Sequence, residues 1–238
     1  MAEWPTVMIV AVTYNRPAEI RRTLARLRDA IYYPGGTVRL HIADDGSEPG
    51  YVNALREDFP DQIHSVSVTD RQGWATNVNT ALRQVFAETP YVFLIEDDYV
   101  ARRPIDLRRG VALLEAVPHL GLIRYDGIEG HRLLLRLCQA DDTRIGRVHY
   151  LWLRRESPET YIYSHRPHLV HKRFHDCYGY YTPGLALGSV EMIFAEKWKL
   201  NDGPEIAALS DGIDRAFDHI GRSWKGSPHD KGKELSYE

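Results

Sequence analysis

Residues 7–12 read Val-Met-Ile-Val-Ala-Val, an unbroken apolar stretch rich in β-branched side chains. Such a stretch is typical of a strand that is buried on both faces, as in a parallel sheet. The polar residues 13–16 are expected to end the strand, and Pro17 suits the first turn of a helix. Apolar residues at helical spacing predict that helix, namely Ile20, Leu24, Leu27 and Ile31.

The alternation of strand and helix continues through the first half of the chain. Further strands are predicted over 38–43, 64–69, 91–95 and 120–125, with helices over 51–59, 73–89 and 106–117. This order predicts an α/β fold in which a mostly parallel central sheet, Rossmann-like in its layering, carries helices on both faces.

The second half of the chain has a weaker pattern. A strand is predicted over 147–153, no period is evident over 161–184, and 189–194 fits either a strand or the start of a helix. A helix over 204–220 is predicted from apolar residues on one face, namely Ile206, Leu209, Ile213, Phe217 and Ile220.

Polar clusters follow the predicted strands of the first half. They are Thr13–Arg16, Asp44–Ser47, Asp70–Gly73 and Glu96–Asp98. The carboxyl ends of parallel strands meet at one edge of a sheet, and ligands of open α/β sheets bind there. The four clusters therefore predict one shared ligand site.

Composition excludes several classes of protein. The 238 residues are 43% hydrophobic and 26% charged with a formal net charge of −3, which excludes global disorder. Two cysteines cannot build a disulfide framework, so a cytoplasmic location is expected. No apolar run reaches the length of a membrane span, and the N-terminus lacks the basic start of a signal peptide. Residues 102–175 hold 14 Lys and Arg against 8 Asp and Glu, which points to an anionic ligand or acceptor.

The sequence lacks a glycine-rich phosphate loop, so a phosphate ligand needs another means of binding. No GxGxxG, GxxxxGK[ST], HExxH or GxSxG motif is present. Glu96, Asp97 and Asp98 offer three adjacent carboxylates, which repel one another unless a cation lies between them. Oxygen ligands of this kind suit Mg²⁺ or Mn²⁺, either of which can bridge two phosphates.

Four motifs taken together resemble the GT-A glycosyltransferases of the family 2 type. They are residues 12–17 (Val-Thr-Tyr-Asn-Arg-Pro), 42–47 (Ile-Ala-Asp-Asp-Gly-Ser), 71–82 (Arg-Gln-Gly through Ala-Leu) and 94–98 (Leu-Ile-Glu-Asp-Asp). They occur in the family's order, and residues 96–98 stand where that family carries its DxD motif. The resemblance implies a GT-A fold, a nucleotide-diphosphate-sugar donor, most simply of the UDP type, and Mn²⁺ or Mg²⁺.

The resemblance also implies roles for individual residues of the donor half. Thr13, Tyr14, Asn15 and Arg16 would line the nucleobase and ribose pocket, and Asp45 would accept a hydrogen bond from the base. Arg71 would lie near the base or the phosphates, and Asn79 would order the loop after the third strand. Asp98 would bind the metal, with Glu96 and Asp97 near the ribose and the sugar.

The resemblance to the second half is looser. Asp211 is expected to be the catalytic base with Glu191 as the reserve, and His229 is expected on the metal. Ser210 departs from the acidic pair that the family carries there, and the Gln-x-x-Arg-Trp motif of processive members is absent, which argues against polymer synthesis. The resemblance implies a nucleotide-sugar half over 1–118, an acceptor half over 119–222 and a tail over 223–238, with inversion by single displacement.

The histidine-rich segment after residue 160 leaves two interpretations open. His165, His168, His171 and His175, with Cys177, would share one helical face and suit zinc, but the interleaved cations oppose a metal. A basic, aromatic acceptor-binding loop is favoured instead, for a protein or glycan acceptor, with nucleic acid as the alternative. The segment also resembles one in phage-encoded glycosyltransferases, for which the location would be the host cytoplasm.

Two other functions compete with glycosyl transfer to an acceptor hydroxyl. A catalytically silent GT-A-like module would bind a nucleotide sugar or an acceptor and would not need Asp211 or Glu191 in its cleft. A nucleotidyltransferase would share the sheet and the metal carboxylates, but it needs a glycine-rich loop after the first strand, where this chain has Tyr-Asn-Arg. The sequence leaves the oligomeric state open.

Overall fold

The computed structural model describes residues 4–125, 141–145, 148–158, 162–209 and 216–221. The strands are β1 (Val7–Thr13), β2 (Ile31–Tyr32), β3 (Val38–Asp44), β4 (Ile63–Val68), β5 (Tyr91–Glu96), β6 (Tyr99–Ala101), β7 (Ile105–Asp106), β8 (Leu120–Arg124), β9 (Asp141–Ile145), β10 (Val148–Trp152), β11 (His168–His171), β12 (Glu205–Leu209) and β13 (Phe217–His219). The helices are α1 (Pro17–Ala30), α2 (Tyr51–Asp58), α3 (Trp74–Val85), α4 (Leu107–Ala116), α5 (Lys172–Tyr178) and α6 (Leu187–Leu200).

A sheet of nine strands organises the described residues, in the order β4-β3-β1-β5-β11-β8-β12-β10-β9. Strand β1 pairs in parallel with β3 and β5, and β3 pairs in parallel with β4. β8 and β12 are also parallel to each other, whereas β11 runs antiparallel to both of its neighbours. The predicted α/β class and the mostly parallel sheet are confirmed.

Strand β1 supplies both faces of the core, as its unbroken apolar sequence predicts. All seven of its residues are buried. Val7, Ile9 and Ala11 pack with α1, α2 and α4 on one face. Met8, Val10 and Val12 pack with α3, α5 and α6 on the other. Because successive side chains of a strand point to opposite faces, one short segment joins both helical layers.

Strand β11 lies in the middle of the sheet, although the sequence pattern predicted no regular element over 161–184. It fills the position between β5 and β8 and leads directly into α5. The strand is only four residues long, and polar His168 is fully buried in it. His168 Nδ1 lies 2.8 Å from the main-chain oxygen of Arg166, and this local partner makes its burial tolerable. A short strand with histidine at both ends has no apolar period to detect.

The helix predicted over 204–220 is wrong. Residues 205–209 form β12, which pairs with β8, and residues 217–219 form β13, which pairs with β6. Short apolar runs suit a buried strand and a helix equally well, and here the free edge of β8 decides the outcome. The same ambiguity affects Ile31, which begins β2 instead of ending α1. The segment 189–194, in contrast, belongs to helix α6.

No helix among the described residues is long and apolar enough to cross a membrane. Both halves of the chain contribute strands to the central sheet, so the division near residue 118 into donor and acceptor halves stays a prediction about function. The predicted helix over 106–117 is confirmed as α4, and Asp106 caps it by accepting a hydrogen bond from the Arg109 main-chain N–H.

The central position of β11 leads to a prediction about stability. Leu169 is fully buried between Phe93 and Ile123 of the neighbouring strands. Leu169→Ala is expected to lower the free energy of unfolding by about 2–5 kcal/mol, because it leaves a cavity between the sheet and the helical layer that contains α4. Urea denaturation measures the change. The control Leu200→Ala removes the same atoms from a side chain that is 76% exposed and should change the stability by less than about 0.5 kcal/mol. Equal effects of the two variants would contradict the central placement of β11.

Candidate active site

The polar clusters after β1, β3 and β5 meet at one edge of the sheet, as predicted. Main-chain hydrogen bonds hold their loops together: the Asp97 N–H donates to Val12 O at 2.9 Å, and the Asp45 N–H donates to Thr13 O at 3.1 Å. The Thr69 N–H donates to Asp44 O at 2.9 Å and ties the loop after β4 to the same edge. The sheet register therefore brings together loops from separate parts of the chain.

Asp97 is a buried carboxyl group of this edge that three residues contact. Its Oδ2 accepts hydrogen bonds from Thr13 Oγ1 at 3.0 Å and from the Tyr14 N–H at 3.4 Å, and its Oδ1 accepts one from Arg16 Nη1 at 3.0 Å. Only 4% of the residue is exposed. Burial raises the pKa of Asp97 to about 7, although the Arg16 charge opposes the shift. The Asp98 charge adds to the rise.

Asp98 is buried beside two nitrogen groups. Its Oδ2 accepts a hydrogen bond from Arg16 Nη1 at 2.7 Å and lies 3.2 Å from His219 Nε2. Burial acts to raise the pKa of Asp98, but His219 and Arg16 outweigh it and hold that pKa below its ordinary value. Asp98 therefore stays a carboxylate under the conditions in which its neighbour Asp97 takes up a proton.

His219 is a site residue that the sequence analysis missed. The pairing of β13 with β6 sets His219 opposite Tyr99, and the two rings stack with centroids 4.7 Å apart. The Ile220 N–H donates to Asp98 O at 2.8 Å, which anchors this strand beside the carboxylate. The predicted metal-binding histidine, His229, lies outside the described residues. The prediction of a helix over 204–220 is the reason that His219 was missed. His219 reaches Asp98 because β13 pairs with β6, and the spacing of apolar residues does not reveal that pairing.

Asp45 organises the loop between β4 and α3. Its Oδ1 accepts hydrogen bonds from Thr69 Oγ1 at 2.7 Å and the Gln72 N–H at 2.9 Å, and its Oδ2 accepts one from the Gly73 N–H at 2.9 Å. The loop in turn carries Arg71, whose guanidinium carbon lies 5.2 Å from the centre of the Tyr14 ring. Asp45, Arg71 and Tyr14 thus lie together at this edge of the sheet, where the resemblance expects a nucleobase.

Asn15 connects the loop after β1 to the loop after β3 through two hydrogen bonds. It has a positive φ of 48°, which asparagine adopts more readily than most residues. Its N–H donates to Ser47 Oγ and its Oδ1 accepts from the Glu48 N–H, both at 2.8 Å. The side chain therefore fixes the loop ahead of Arg16.

Asn79 lies away from this cluster. Its Nδ2 donates to Tyr181 O at 2.8 Å and its Oδ1 accepts from the Tyr181 N–H at 3.0 Å. Both amide atoms therefore hold the segment between α5 and α6 against α3. The expected role of Asn79 in ordering the loop after the third strand stays a prediction, because its hydrogen bonds go to Tyr181.

Glu191 reaches the acidic edge from the opposite half of the chain. Its Oε1 accepts a hydrogen bond from the His165 N–H at 2.7 Å, and burial raises the pKa of its carboxyl group. Burial also raises the pKa of Glu96 well above its ordinary value, and the charges of Asp98, Glu191 and Asp97 add to that rise. The charge of Glu191, from the second half of the chain, therefore acts on Glu96 at the acidic edge. Asp211 lies outside the described residues.

The histidines after residue 160 do not form the helical face that zinc would need. His168 and His171 lie in strand β11, and His175 lies in α5. His175 Nδ1 lies 3.0 Å from Gly179 O, and burial lowers the pKa of His175 to about 4. Across the part of the chain that the structure describes, no group of three or more His, Cys, Asp or Glu residues is arranged to hold a metal.

A divalent cation nevertheless fits beside Asp98. Among the described residues, the buried Oδ1 of Asp98 has no hydrogen-bond partner, so one carboxylate oxygen is left for a ligand. The His219 imidazole lies on the same carboxylate. Mg²⁺ and Mn²⁺ sites in nucleotide-binding proteins take only one or two protein ligands, with phosphate oxygens and water as the remainder. Asp98 and His219 are a donor set of that kind.

The fold and this carboxylate-rich edge define an α/β protein with a candidate ligand site at the carboxyl ends of its parallel strands. Comparison with known sequences identifies its family. Residues 8–179 match the family described as Glycosyl transferase family 2, and the chain belongs to that family. A cellulose synthase catalytic subunit [UDP-forming] from Xanthomonas axonopodis pv. citri (strain 306) is 29% identical over 101 residues. Cellulose synthase 1 from Komagataeibacter xylinus is 32% identical over 101 residues.

These matches cover 42% of this chain in both cases, but only 13% of the first relative and 6% of the second. The chain thus spans a small part of the curated relatives that it matches.

Solved structures share the fold over nearly the whole chain. The mannosyltransferase PcManGT from Pyrobaculum calidifontis, in complex with GDP-Man and Mn²⁺, superimposes with a TM-score of 0.67 at 16% identity. The match covers 98% of this chain and 61% of the mannosyltransferase. S. aureus TarS 1-349 in complex with UDP-GlcNAc superimposes with a TM-score of 0.61 at 20% identity, covering 94% and 63% of the two chains. The GT-A fold is therefore confirmed.

The raised pKa of Asp97 leads to a prediction about pH. An unfolded Asp97 loses its proton near pH 3.8, whereas the folded protein keeps it to about pH 7. Between these values the folded state binds the extra proton, so the contribution of Asp97 to stability falls as the pH rises. Asp97→Asn cannot titrate. Its melting temperature relative to the parent protein should therefore increase from pH 5 to pH 8, measured by thermal denaturation with EDTA.

The exposed Asp58, which pairs with Arg21 on the surface, provides the control. The difference between Asp58→Asn and the parent protein should be nearly constant over the same pH range. A constant difference for Asp97→Asn as well would contradict the rise in the pKa of Asp97 that burial causes.

Proposed function

We propose that this chain transfers a sugar from a nucleotide-diphosphate sugar to an acceptor hydroxyl. One observation carries the proposal: in a member of glycosyl transferase family 2, Asp97, Asp98, Arg16 and His219 converge at the carboxyl edge of the sheet. Ligands of open α/β sheets bind at this edge. Family membership favours glycosyl transfer over nucleotidyl transfer.

The donor side of the cleft suits a nucleoside diphosphate. Tyr14 and Arg71 offer an aromatic face and a cation for a base, next to the loop that Asp45 organises. We propose a UDP sugar, since the UDP-forming cellulose synthase and TarS with UDP-GlcNAc are among the similar proteins. The GDP-Man complex of the mannosyltransferase makes a GDP sugar the alternative.

We propose Mn²⁺ or Mg²⁺ as the cofactor, held by Asp98 and His219. The orphaned Oδ1 of Asp98 supports this assignment, and the lowered pKa of Asp98 keeps the ligand ionised. When bound, the cation neutralises negative charge on the leaving diphosphate. The contribution of the protein is to hold Asp98 rigid, through the main-chain hydrogen bond to Ile220 and the backbone of Gly221 packed against it.

We propose Glu191 as the catalytic base, ahead of Asp211. The acceptor oxygen attacks the anomeric carbon, the bond from that carbon to the diphosphate oxygen breaks, and the hydroxyl proton passes to a carboxylate. Glu191 is half-buried, and its raised pKa makes it a stronger base than an exposed glutamate. Its electrostatic interaction with Glu96 supports a position across the cleft from the donor carboxylates. One displacement of this kind inverts the configuration of the sugar.

The acceptor is proposed from charge alone. The Lys- and Arg-rich middle of the chain suits an anionic acceptor, and a protein or glycan is the first choice, with nucleic acid as the alternative. The main chain of His165 donates a hydrogen bond to Glu191, and the next residue, Arg166, is exposed. Part of this positive charge therefore lies near the proposed base.

The metal assignment predicts the behaviour of two variants. Asp98→Asn and His219→Ala should each weaken Mn²⁺-dependent binding of UDP by about 10-fold to 100-fold, because each removes a ligand of the cation. Titration calorimetry with UDP, with and without Mn²⁺, measures the loss. The control is Asp218→Asn, which alters the residue next to His219. Asp218 is exposed and pairs with Arg102, so this variant should bind UDP as the parent protein does. Equal binding of UDP by the parent protein with and without Mn²⁺ would refute the assignment.

The base assignment predicts a loss of turnover without a loss of donor affinity. Glu191→Gln keeps the shape of the side chain and should slow UDP release from UDP-glucose, with water as the acceptor, by about 10²-fold to 10⁴-fold. UDP affinity should stay within about twofold, well below the effect of losing one hydrogen bond. Glu196→Gln, on the exposed side of the same helix, is the control.

Asp211→Asn, measured in parallel, decides between the two carboxylates. A slow Asp211→Asn enzyme together with a fully active Glu191→Gln enzyme would move the role to Asp211. A parent protein that binds UDP-glucose and releases no UDP would support the catalytically silent module.

A further inference from the structure

Arg16 lies where the acidic edge needs a cation. Its Nη1 donates to Asp97 Oδ1 at 3.0 Å and to Asp98 Oδ2 at 2.7 Å, so a single nitrogen bridges the two carboxylates. The side chain is 16% exposed, and those of the two aspartates are 6% and 3% exposed. Arg16 directly precedes Pro17, the first residue of α1, and the buried face of that helix holds it in position.

The guanidinium group stabilises this pair of carboxylates without a metal. Two adjacent buried carboxylates repel each other strongly unless a positive charge lies between them. Arginine suits the task because it is always charged and is more weakly hydrated than an ammonium group. The Arg16 charge lowers the pKa of both aspartates, against the effect of burial.

The same contact opposes a divalent cation at Asp98. Oδ2 already has Arg16 and His219 as neighbours, and a carboxylate oxygen has only two lone pairs. A cation on the remaining oxygen, Oδ1, would sit on the same carboxylate as the guanidinium group. Two positive groups sharing one buried carboxylate repel each other, so the cation binds well only if Arg16 moves away or gains a further anion.

We propose that Arg16 is the counter-ion of Asp98 in the absence of metal, and that a divalent cation displaces the Arg16 guanidinium group from Asp98. The displaced guanidinium group then binds the diphosphate of the donor. This inference rests on the proposed function and adds a role for Arg16 beyond the nucleobase and ribose pocket. A nucleoside diphosphate brings the negative charges that make two cations compatible at one site. Arg16 thereby couples the two ligands: the metal alone binds weakly, and metal and diphosphate bind together.

The role is tested by binding measurements that need no turnover. Arg16→Gln at pH 8 should bind Mn²⁺ alone about tenfold more tightly than the parent protein, because the competing charge is gone. It should bind UDP in the presence of saturating Mn²⁺ about tenfold more weakly, because the contact with the diphosphate is lost. Electron paramagnetic resonance of free Mn²⁺ measures the first constant, and titration calorimetry measures the second.

The matched control is Arg21→Gln. Arg21 lies in α1, the helix that Arg16 precedes, and forms an exposed ion pair with Asp58. This variant therefore makes the same change of net charge away from the cluster. Both of its binding constants should equal those of the parent protein. Arg16→Lys keeps the charge but not the planar fork and should fall between the parent protein and Arg16→Gln. It also keeps the test decisive if Arg16→Gln does not fold, which circular dichroism reveals.

The opposite signs of the two effects are the signature of exchange. A merely structural Arg16 would weaken both binding steps, and that result would overturn the inference while leaving the proposed function intact. Unchanged Mn²⁺ affinity in Arg16→Gln and Arg16→Lys would overturn it as well. Failure of the parent protein to bind Mn²⁺ even with UDP present would instead overturn the proposed metal site, and the exchange with it.

Discussion

The two carboxyl groups that follow β5, Asp97 and Asp98, can lie inside this protein only because cations and hydrogen-bond donors meet them there. Asp97 and Asp98 share the Arg16 guanidinium, and Asp98 also has His219. Glu96 has no ion pair among the contacts described, and burial, together with the charges of Asp98, Glu191 and Asp97, raises the pKa of its carboxyl group well above the ordinary value. The start of α1 and the pairing of β6 with β13 both serve to bring these counter-groups to the carboxylates.

The double-sided core makes that arrangement rigid. Strand β1 is buried on both faces, and its partners β3 and β5 run parallel to it, so their carboxyl ends cannot shift relative to one another without unpacking two helical layers. A few hydrogen bonds then suffice to fix the polar loops. Asp45 binds the loop after β4 in this way, and Asn15 binds the loop after β3. Groups that must act on a ligand are positioned best when the elements beneath them are rigid.

Much of the donor side was predictable from local sequence, since each of its residues follows a strand that its own apolar run reveals. Thr13, Arg16, Asp97 and Asp98 meet because their strands are neighbours with matching register. The far side of the cleft was not predictable in this way. His219 reaches Asp98 through a three-residue strand, and Glu191 depends on the main chain of His165, 26 residues away. Contacts of that kind leave no period in the sequence.

By itself the sequence determined the alternation of the first half, the α/β class and the edge at which the polar residues gather, because long buried strands and amphipathic helices have strong hydrophobic periods. Only the tertiary structure decided that β11 enters the middle of the sheet, that residues 205–209 form a strand, and that Arg16 bridges two aspartates. The physical reason is the same in each case. A short segment takes the conformation that satisfies the exposed edge or unpaired charge beside it, and that neighbour lies far away along the chain.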